Sequence, residues 1–591
     1  GGWYDKDDQL VPESEIFDRY RDEVVARSGV RFFHDDGPLH DGYTPESAMV
    51  FLDRDITFTV EDETEARSYA EADPQFTVIE QTAFGEWQVT RKSGAQVRVP
   101  RRATLNRRIG GLFPTDFDPA RWGIPASMLD SIDPIAVWNL VSAVDAFVSA
   151  GFSPAELLRV VHPATVASTQ GTGFGGMRSM HKLFVDRFLG EEYPQDILQE
   201  TLPNVVAAHT MQSYVGGYGS MINPVGACAT AAVSIEEGVD KIKAGKADFV
   251  VAGAIDDIQV ESIVGFGAMN ATANSNELLA RGISSRFVSR ANDRRRGGFV
   301  EAQGGGTVLL TRASVALDMN LPVLAVVGHA QTFSDGAHTS IPAPGLGALA
   351  VARGGRDSVI ARNLGELGVG IDDVAFVSKH DTSTNANDPN ESDLHTRVGM
   401  ALGRTPGNPL LVISQKTLTG HAKGGACVFQ VGGIIDVFRT GLIPANVALD
   451  CVDDAMEQYS PLVWLRSPLD LSSRGPVRAA FATSLGFGHV SGFLALVNPA
   501  AFEAIVEREA GRERLEAWRT ASDRRLRNGQ RHIEMGMLGH APLFTSVEGR
   551  RLPDDPAAGI AGDAHEVEAA ILLDPSARLG EDGFYHLPEG K

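Results

Sequence analysis

From about residue 130 to 500 the chain alternates short, wholly apolar runs, glycine-rich turns, and segments whose apolar residues recur at helical spacing. Such a texture admits few folds. Strands without polar alternation are buried on both faces, and helices between them supply the cover, which is a layered α/β core. One unit is easily read. Ala229–Ala244 carries Ala232, Ile235, Val239 and Ile242 on one helical face, Gly245 ends it, and the apolar strand Asp248–Gly253 follows. Two passages rhyme about 180 residues apart, each expected to be strand, glycine turn, strand: Phe299–Leu310, and Ala480–Gly488 continuing into Gly492–Val497. The rhyme suggests a duplicated α/β core with halves at 131–315 and 316–500.

The flanks read differently. Residues 1–130 are acidic and irregular, with strand-like runs at Ala48–Leu52, Ile56–Val60 and Glu86–Val89 and a basic stretch, Arg101–Arg108. We expect a lead-in or lateral subdomain. Residues 501–591 begin with a highly charged helical pattern to Arg527 and turn Gly- and Pro-rich beyond about 535, predicting a surface helix and a loose tail. The start, Gly1-Gly2-Trp3-Tyr4-Asp5, reads as a piece of a longer polypeptide.

A net charge of −23 over 591 residues argues against general attraction to nucleic acid or anionic membrane. No run reaches the roughly 18 apolar residues of a membrane helix. Three cysteines, Cys228, Cys427 and Cys451, form no C-x-x-C pair and no disulfide framework. They predict a reducing, cytoplasmic setting in which a lone thiol can be a nucleophile.

Chemistry concentrates in three places. In Pro224-Val225-Gly226-Ala227-Cys228-Ala229-Thr230 a thiol lies between a glycine-led turn and a helix start, among small side chains that leave room for a bulky substrate. Helix amides there would lower a thiol's pKa and donate to an oxyanion. A buried inert cysteine at a strand–helix junction is the competing reading. The apolar run Val374–Ser378 ends in Lys379-His380-Asp381-Thr382-Ser383-Thr384, and Leu410–Ile413 is followed by Lys416 and then His421. Histidines delivered by two strand ends to one sheet edge, together with a thiol, resemble a catalytic set.

Four blocks in order then resemble the signatures of β-ketoacyl synthases: Gly226-Ala227-Cys228-Ala229-Thr230; His380-x-Thr382-x-Thr384 with Asp388 and Glu391 behind it; Lys416-x-x-x-Gly420-His421; and Leu485-Gly486-Phe487-Gly488. The wording around Cys228, Gly253-Ala254-Ile255-Asp256-Asp257 and Ala316-Leu317-Asp318-Met319 is most similar to the synthase domain of fungal and actinobacterial type I fatty acid synthases, over about 110–500. The resemblance implies a thiolase-like fold, a duplicated five-layered α/β/α/β/α core with N- and C-terminal extensions. It implies Cys228 as the acyl-accepting nucleophile and His380 and His421 as the pair that supports malonyl decarboxylation. The amides of Cys228 and Phe487 would form an oxyanion hole, with Phe487 also a gate. Lys416, Asp388 and Glu391 would form a buried ion network, and Thr382 and Thr384 would bind the pantetheine arm. No metal or bound cofactor is implied; phosphopantetheine arrives on an acyl carrier protein, and the implied partners are that carrier, other synthase domains and a second copy in a dimer within a larger assembly. Two positions depart from the pattern: Asp381 where the family usually has glycine, and His489-Val490 where a smaller turn is common.

Other enzymatic readings are a polyketide-type or CoA-dependent condensing enzyme, or a thiolase, which would need a second active-site cysteine. A scaffold resembling a chain-length factor would lack the nucleophile. The glycine run Gly171–Gly176 has no P-loop lysine after it. Arg286, Arg290, Arg294, Arg295 and Arg296 predict a solvated loop, or else a docking patch for an acidic carrier. Cys427 and Cys451 are expected to pack, and His162, His209, His329 and His338 have no evident partner.

Overall fold

The computed structural model describes residues 2–5, 7, 9–33, 43–114, 117–186, 193–336, 346–545, 574–581 and 585–586. The chain divides into two compact units: Phe33–Arg108 with Val260–Gly265, and the remainder. In the smaller unit Tyr43–Phe51 pairs with Gln96–Thr104, and Ile56–Val60 and Thr77–Gln81 flank Trp87–Arg91, all antiparallel. Helix Glu63–Ala72 starts where the Asp62 carboxylate accepts from the Glu65 amide, and buries Ala66 against Val60 and Val89.

The larger unit is built around two sheets. We label its elements α1 (Pro134–Ser149), β1 (Val166–Ser168), α2 (Thr230–Lys243), β2 (Phe249–Asp256), β3 (Gly304–Thr311), β4 (Val326–Ser334), α3 (Val359–Glu366), β5 (Val374–Ser378), α4 (Asn387–Leu402), β6 (Leu410–Ile413), α5 (Ala426–Thr440), β7 (Leu462–Trp464), β8 (Ala479–Gly486), β9 (Val490–Val497) and α6 (Arg512–Met537). One sheet has the order β1-β2-β3, the other β4-β9-β8-β5-β6-β7. In the first, β1 is parallel to β2 and β3 antiparallel; in the second, β5 is parallel to β8 and β9 antiparallel. The first sheet therefore repeats the middle of the second.

Helices α2 and α5 lie between the sheets. Ala231 and Ile235 of α2 and Val431 and Ile434 of α5 share one buried cluster with Val250 of β2 and Ala480 of β8. Outside the first sheet, α1 buries Leu140, Val144 and Phe147 with Phe249 and Val251. Outside the second, Ile360 and Leu364 of α3 and Leu394 and Val398 of α4 pack on Val377, Phe481 and Phe493. The layers run helix, sheet, helix, sheet, helix: the thiolase-like fold.

Two expectations change. Gly304-Gly305-Gly306 does not turn the chain; it lies inside β3. A Cβ on Gly305 (φ +136°) would sit 2.0 Å from the Ala254 carbonyl oxygen, and one on Gly253 (φ +121°) 2.1 Å from that of Gly306, so the glycines serve close strand contact. Residues after 500 are not a loose appendage as far as 545. Phe502, Val506, Leu515, Trp518, Leu543 and Phe544 join the cluster around α1. A Cβ on Gly529 of α6 would lie 2.2 Å from the Val148 carbonyl oxygen.

Candidate active site

Strands β5 and β6 run parallel, so the residues that follow them emerge at one edge. His380 comes two residues after β5. After β6, the short helix Lys416–Thr419 leads to His421, whose amide donates to the Val300 carbonyl (2.7 Å) and whose carbonyl accepts from Ala302 (3.0 Å). Cys228 occupies a single 3-10 turn ahead of α2, entered through Ala227 at φ +47°. The end of β8 holds this turn. Ser484 Oγ donates to the Cys228 carbonyl (2.7 Å), and a Cβ on Gly486 would lie 2.5 Å from the Gly226 carbonyl oxygen.

These placements bring together side chains far apart in sequence. Cys228 Sγ and one ring nitrogen from each of His380 and His421 all lie within 4.8 Å of one another. The two rings are 5.1 Å apart at 85°, and all three side chains are buried.

Burial pushes the Cys228 thiol up to about 11, against the opposing pull of Lys416, the Phe487 amide and Lys423. Dehydration therefore outweighs the helix-terminal effect expected from sequence, and the resting group is a thiol. Burial, reinforced by the Lys416 charge, holds both His380 and His421 well below the ordinary imidazole range, so both rings are neutral. Lys416 Nζ lies 3.1 Å from His380 Nδ1 and also donates to the His380 carbonyl. With Nδ1 accepting from lysine, the ring proton of a neutral His380 sits on Nε2. A sulfur and two imidazoles at this spacing could hold a soft cation, yet the adjacent lysine favours negative charge.

Behind His380, both oxygens of Glu391 are used by backbone: Oε1 accepts from the His380 amide and Oε2 from that of Asp381 (2.8 Å). Thr483 Oγ1 also donates to Glu391, as does Asn387 Nδ2 (3.2 Å). Asp388 accepts from the Asn292 amide (2.9 Å) and lies 3.7 Å from Arg296. Burial and the nearby Asp381 charge push Asp388 up to about 7. Thr382 and Thr384 hydroxyls meet at 3.0 Å, and Thr384 Oγ1 accepts from the Asn387 amide (3.1 Å). Phe487 sits in the β8–β9 turn, stacked on Phe266 with centroids 5.8 Å apart.

Comparison with known proteins fits this geometry. Residues 77–316 match the family described as "Beta-ketoacyl synthase, N-terminal domain" and residues 324–450 its "C-terminal domain". The chain belongs to the β-ketoacyl synthase family. Relatives include "Fatty acid synthase alpha subunit pigJ" of Monascus ruber, 31% identical over 98% of this chain and 35% of that one. "Fatty acid synthase 2" of Mycosarcoma maydis is 32% identical over 99% of this chain and 15% of its own length. "Fatty acid synthase subunit alpha" of Saccharomyces cerevisiae is 29% identical over 98% and 35%. This ketoacyl synthase thus spans about a third or less of each. Among solved structures, "the noncanonical ketosynthase FabY from P. aeruginosa" superposes with a TM-score of 0.79 at 22% identity, covering 95% of this chain and 86% of that one.

Within this ketoacyl synthase, Lys416, Asp388 and Glu391 are all buried, and the Glu391 charge acts on Lys416. Lys416 serves His380, Glu391 the loop amides, and Asp388 the Asn292 segment. Lys379 is also a buried cation in a direct carboxylate pair, 2.7 Å from Asp381. Sequence reasoning did not assign Lys379, Asn292 or Thr483; only the charge flanking His380 on each side marked the first. The Gly171–Gly176 run cradles no phosphate, because Asp256 occupies the amides of Gly173 (2.9 Å) and Phe174 (3.2 Å). The arginine segment is partly internal, with Arg294 exposed and Arg286 and Arg295 half-buried. Arg290 and Arg296 are buried, pairing with Asp450 and Asp453, and Arg286 donates to the carbonyls of Val25 and Ser28. Cys427 packs in α5, but Cys451 is exposed. His209 meets Glu200 at 3.0 Å, His329 meets Asn363 at 3.2 Å, and His162 Nδ1 accepts from the Ala164 amide (3.1 Å). His338 lies outside the described residues. Among the described residues, no helix is long and apolar enough to cross a membrane.

Proposed function

We propose that this chain is the condensing unit of a fatty-acid-synthase multienzyme, joining malonyl units to a growing acyl chain. The sulfur and two imidazoles within 4.8 Å carry this reading; the fatty acid synthase names of its relatives support the setting. In the first half-reaction the Cys228 thiol attacks an acyl thioester on a carrier-borne phosphopantetheine. The C–S bond to the carrier breaks, a C–S bond to Cys228 forms, and the thiol proton leaves with the carrier sulfur. Amides of Cys228 and Phe487 would face the transient oxyanion. In the second, malonyl-carrier loses CO₂, and the enolate oxygen takes hydrogen bonds from the His380 and His421 rings. The enolate carbon attacks the Cys228 thioester, and the thiol returns with one proton from solvent. The product is a 3-oxoacyl-carrier two carbons longer.

Neutral, dry imidazoles suit an enolate. They donate without first giving up a proton, and low local dielectric strengthens the bond to the developing charge. Phe487 in its turn would admit acyl or malonyl groups, and Thr382 and Thr384 would hold the pantetheine arm. We assign 1–130, 131–315, 316–500 and 501–591 as lead-in, nucleophile half, histidine half and C-terminal extension. Exposed Met221, Ile222 and Val225 support pairing with a second copy, and the multienzyme setting supports a cytoplasmic location.

Intact-mass measurement after incubation with an acyl-carrier thioester tests the first step, and CO₂ release from malonyl-carrier the second. One added acyl group, lost in Cys228→Ala, is the expected result. A chain that neither acylates nor releases CO₂ would sink the reading.

A further inference from the structure

Lys379 and Asp381 flank His380, and both side chains turn away from it into one dry node. Each is wholly buried, with Nζ and Oδ1 2.7 Å apart. Asn292 bridges the pair: its Oδ1 accepts from Lys379 (3.1 Å) and its Nδ2 donates to Asp381 (2.8 Å). Lys379 also donates to Ser392 Oγ (2.9 Å) on α4, and Ser414 Oγ, at the end of β6, donates to Asp381. The node therefore ties the loop after β5 to α4, to the end of β6 and to the Asn292 segment. It does so across a strained point, since Asp381 has φ +38°, a backbone region that few side chains tolerate.

Burying two charges this completely costs several kcal/mol per ion before their attraction is counted, so an apolar pair would serve packing better. What the pair supplies is direction. With residues 379 and 381 both staked, the backbone between them cannot rotate, and Lys416 then fixes the ring. We propose that Lys379 and Asp381 are positioning residues that hold the His380 ring in register with Cys228 for decarboxylation of the malonyl group. This rests on the reading of His380 given above.

The test uses the full chain and two rates: acylation of Cys228 by an acyl-carrier thioester, read by intact mass, and CO₂ release from malonyl-carrier. Loss of folded protein lowers both together; misplacement of His380 lowers the second alone. In Asp381→Asn the ratio of CO₂ release to acylation should fall at least thirtyfold. In Lys379→Met/Asp381→Asn, which strands no charge, it should fall three- to tenfold. If the single variant does not fold, the double variant decides. A ratio within twofold of wild type in a folded variant, or a double variant as impaired as the single, overturns the proposal. His380→Ala separates the two claims: if it leaves the ratio unchanged, the reading of His380 fails, whatever the pair does.

Discussion

The turns that lead into the two central helices differ in content but share a backbone. Val225-Gly226-Ala227-Cys228 precedes α2 and His421-Ala422-Lys423-Gly424 precedes α5, with Ala227 and Lys423 both at φ +47°. In this register Cys228 corresponds to Gly424. Each turn faces the end of a strand from the other half. Cys228 faces the end of β8, where Gly486 is bare and the Phe487 amide approaches the sulfur. Gly424 faces the end of β2, where the Asp256 carboxylate fills the space and accepts from its amide (2.6 Å). A Cβ on Gly424 would sit 2.7 Å from Asp256 Oδ2. One duplicate thus keeps the nucleophile, and the other is plugged and contributes His421 instead. Symmetry of the fold does not carry symmetry of chemistry; a single strand-end carboxylate decides which turn is open.

Four changes would break or sharpen this contrast. The largest effect belongs to Cys228→Ala: no acyl adduct by mass, and condensation slower by about 10³-fold or more, because among the described residues the cluster holds no second thiol. Next, Asp256→Ala unplugs the second turn and strands the half-buried amide of Gly173 and the buried amide of Gly424. Denaturant unfolding should show a loss of about 3–5 kcal/mol. Gly424→Ala forces a methyl against that carboxylate and should cost about 1–3 kcal/mol, leaving acylation of Cys228 within a few-fold of wild type.

The smallest effect is one of pH. The folded chain keeps His421 neutral, whereas the unfolded chain protonates it below about 6.5, so its contribution to stability is intact above that pH and declines beneath it. His421→Asn should flatten the pH dependence of unfolding free energy below 6.5 by up to about 1.4 kcal/mol per pH unit. An unchanged slope would mean that the ring is already charged in the folded protein.

Much of this was legible in the sequence where local pattern and fold agree. The apolar strands, the helix after Cys228, and the strand-end positions of His380 and His421 follow from periodicity and from the parallel-sheet edge rule. The glycine run at 304–306 misled, because a bare backbone serves a turn and a tight strand pair equally, and only the partner strand reveals which. The role of Lys379 was hidden for a related reason. Its counter-charge lies two residues along the chain, but the groups that make the pair a node, Asn292, Ser392 and Ser414, come from segments that meet only in three dimensions. The thiol's raised pKa could not be read either, since dehydration depends on the packed surroundings and not on the helix that follows.

The docking of α6 has a practical side. The match to the C-terminal family domain ends at residue 450, which invites anyone excising the synthase to stop soon after the last strand. That cut would strip Phe502, Trp518, Leu543 and Phe544 from the face of α1. At roughly 1.5–3 kcal/mol for each large side chain, the loss rivals the entire margin that keeps an ordinary domain folded. A usable fragment therefore ends beyond residue 545, and a shorter one should be collected as insoluble material.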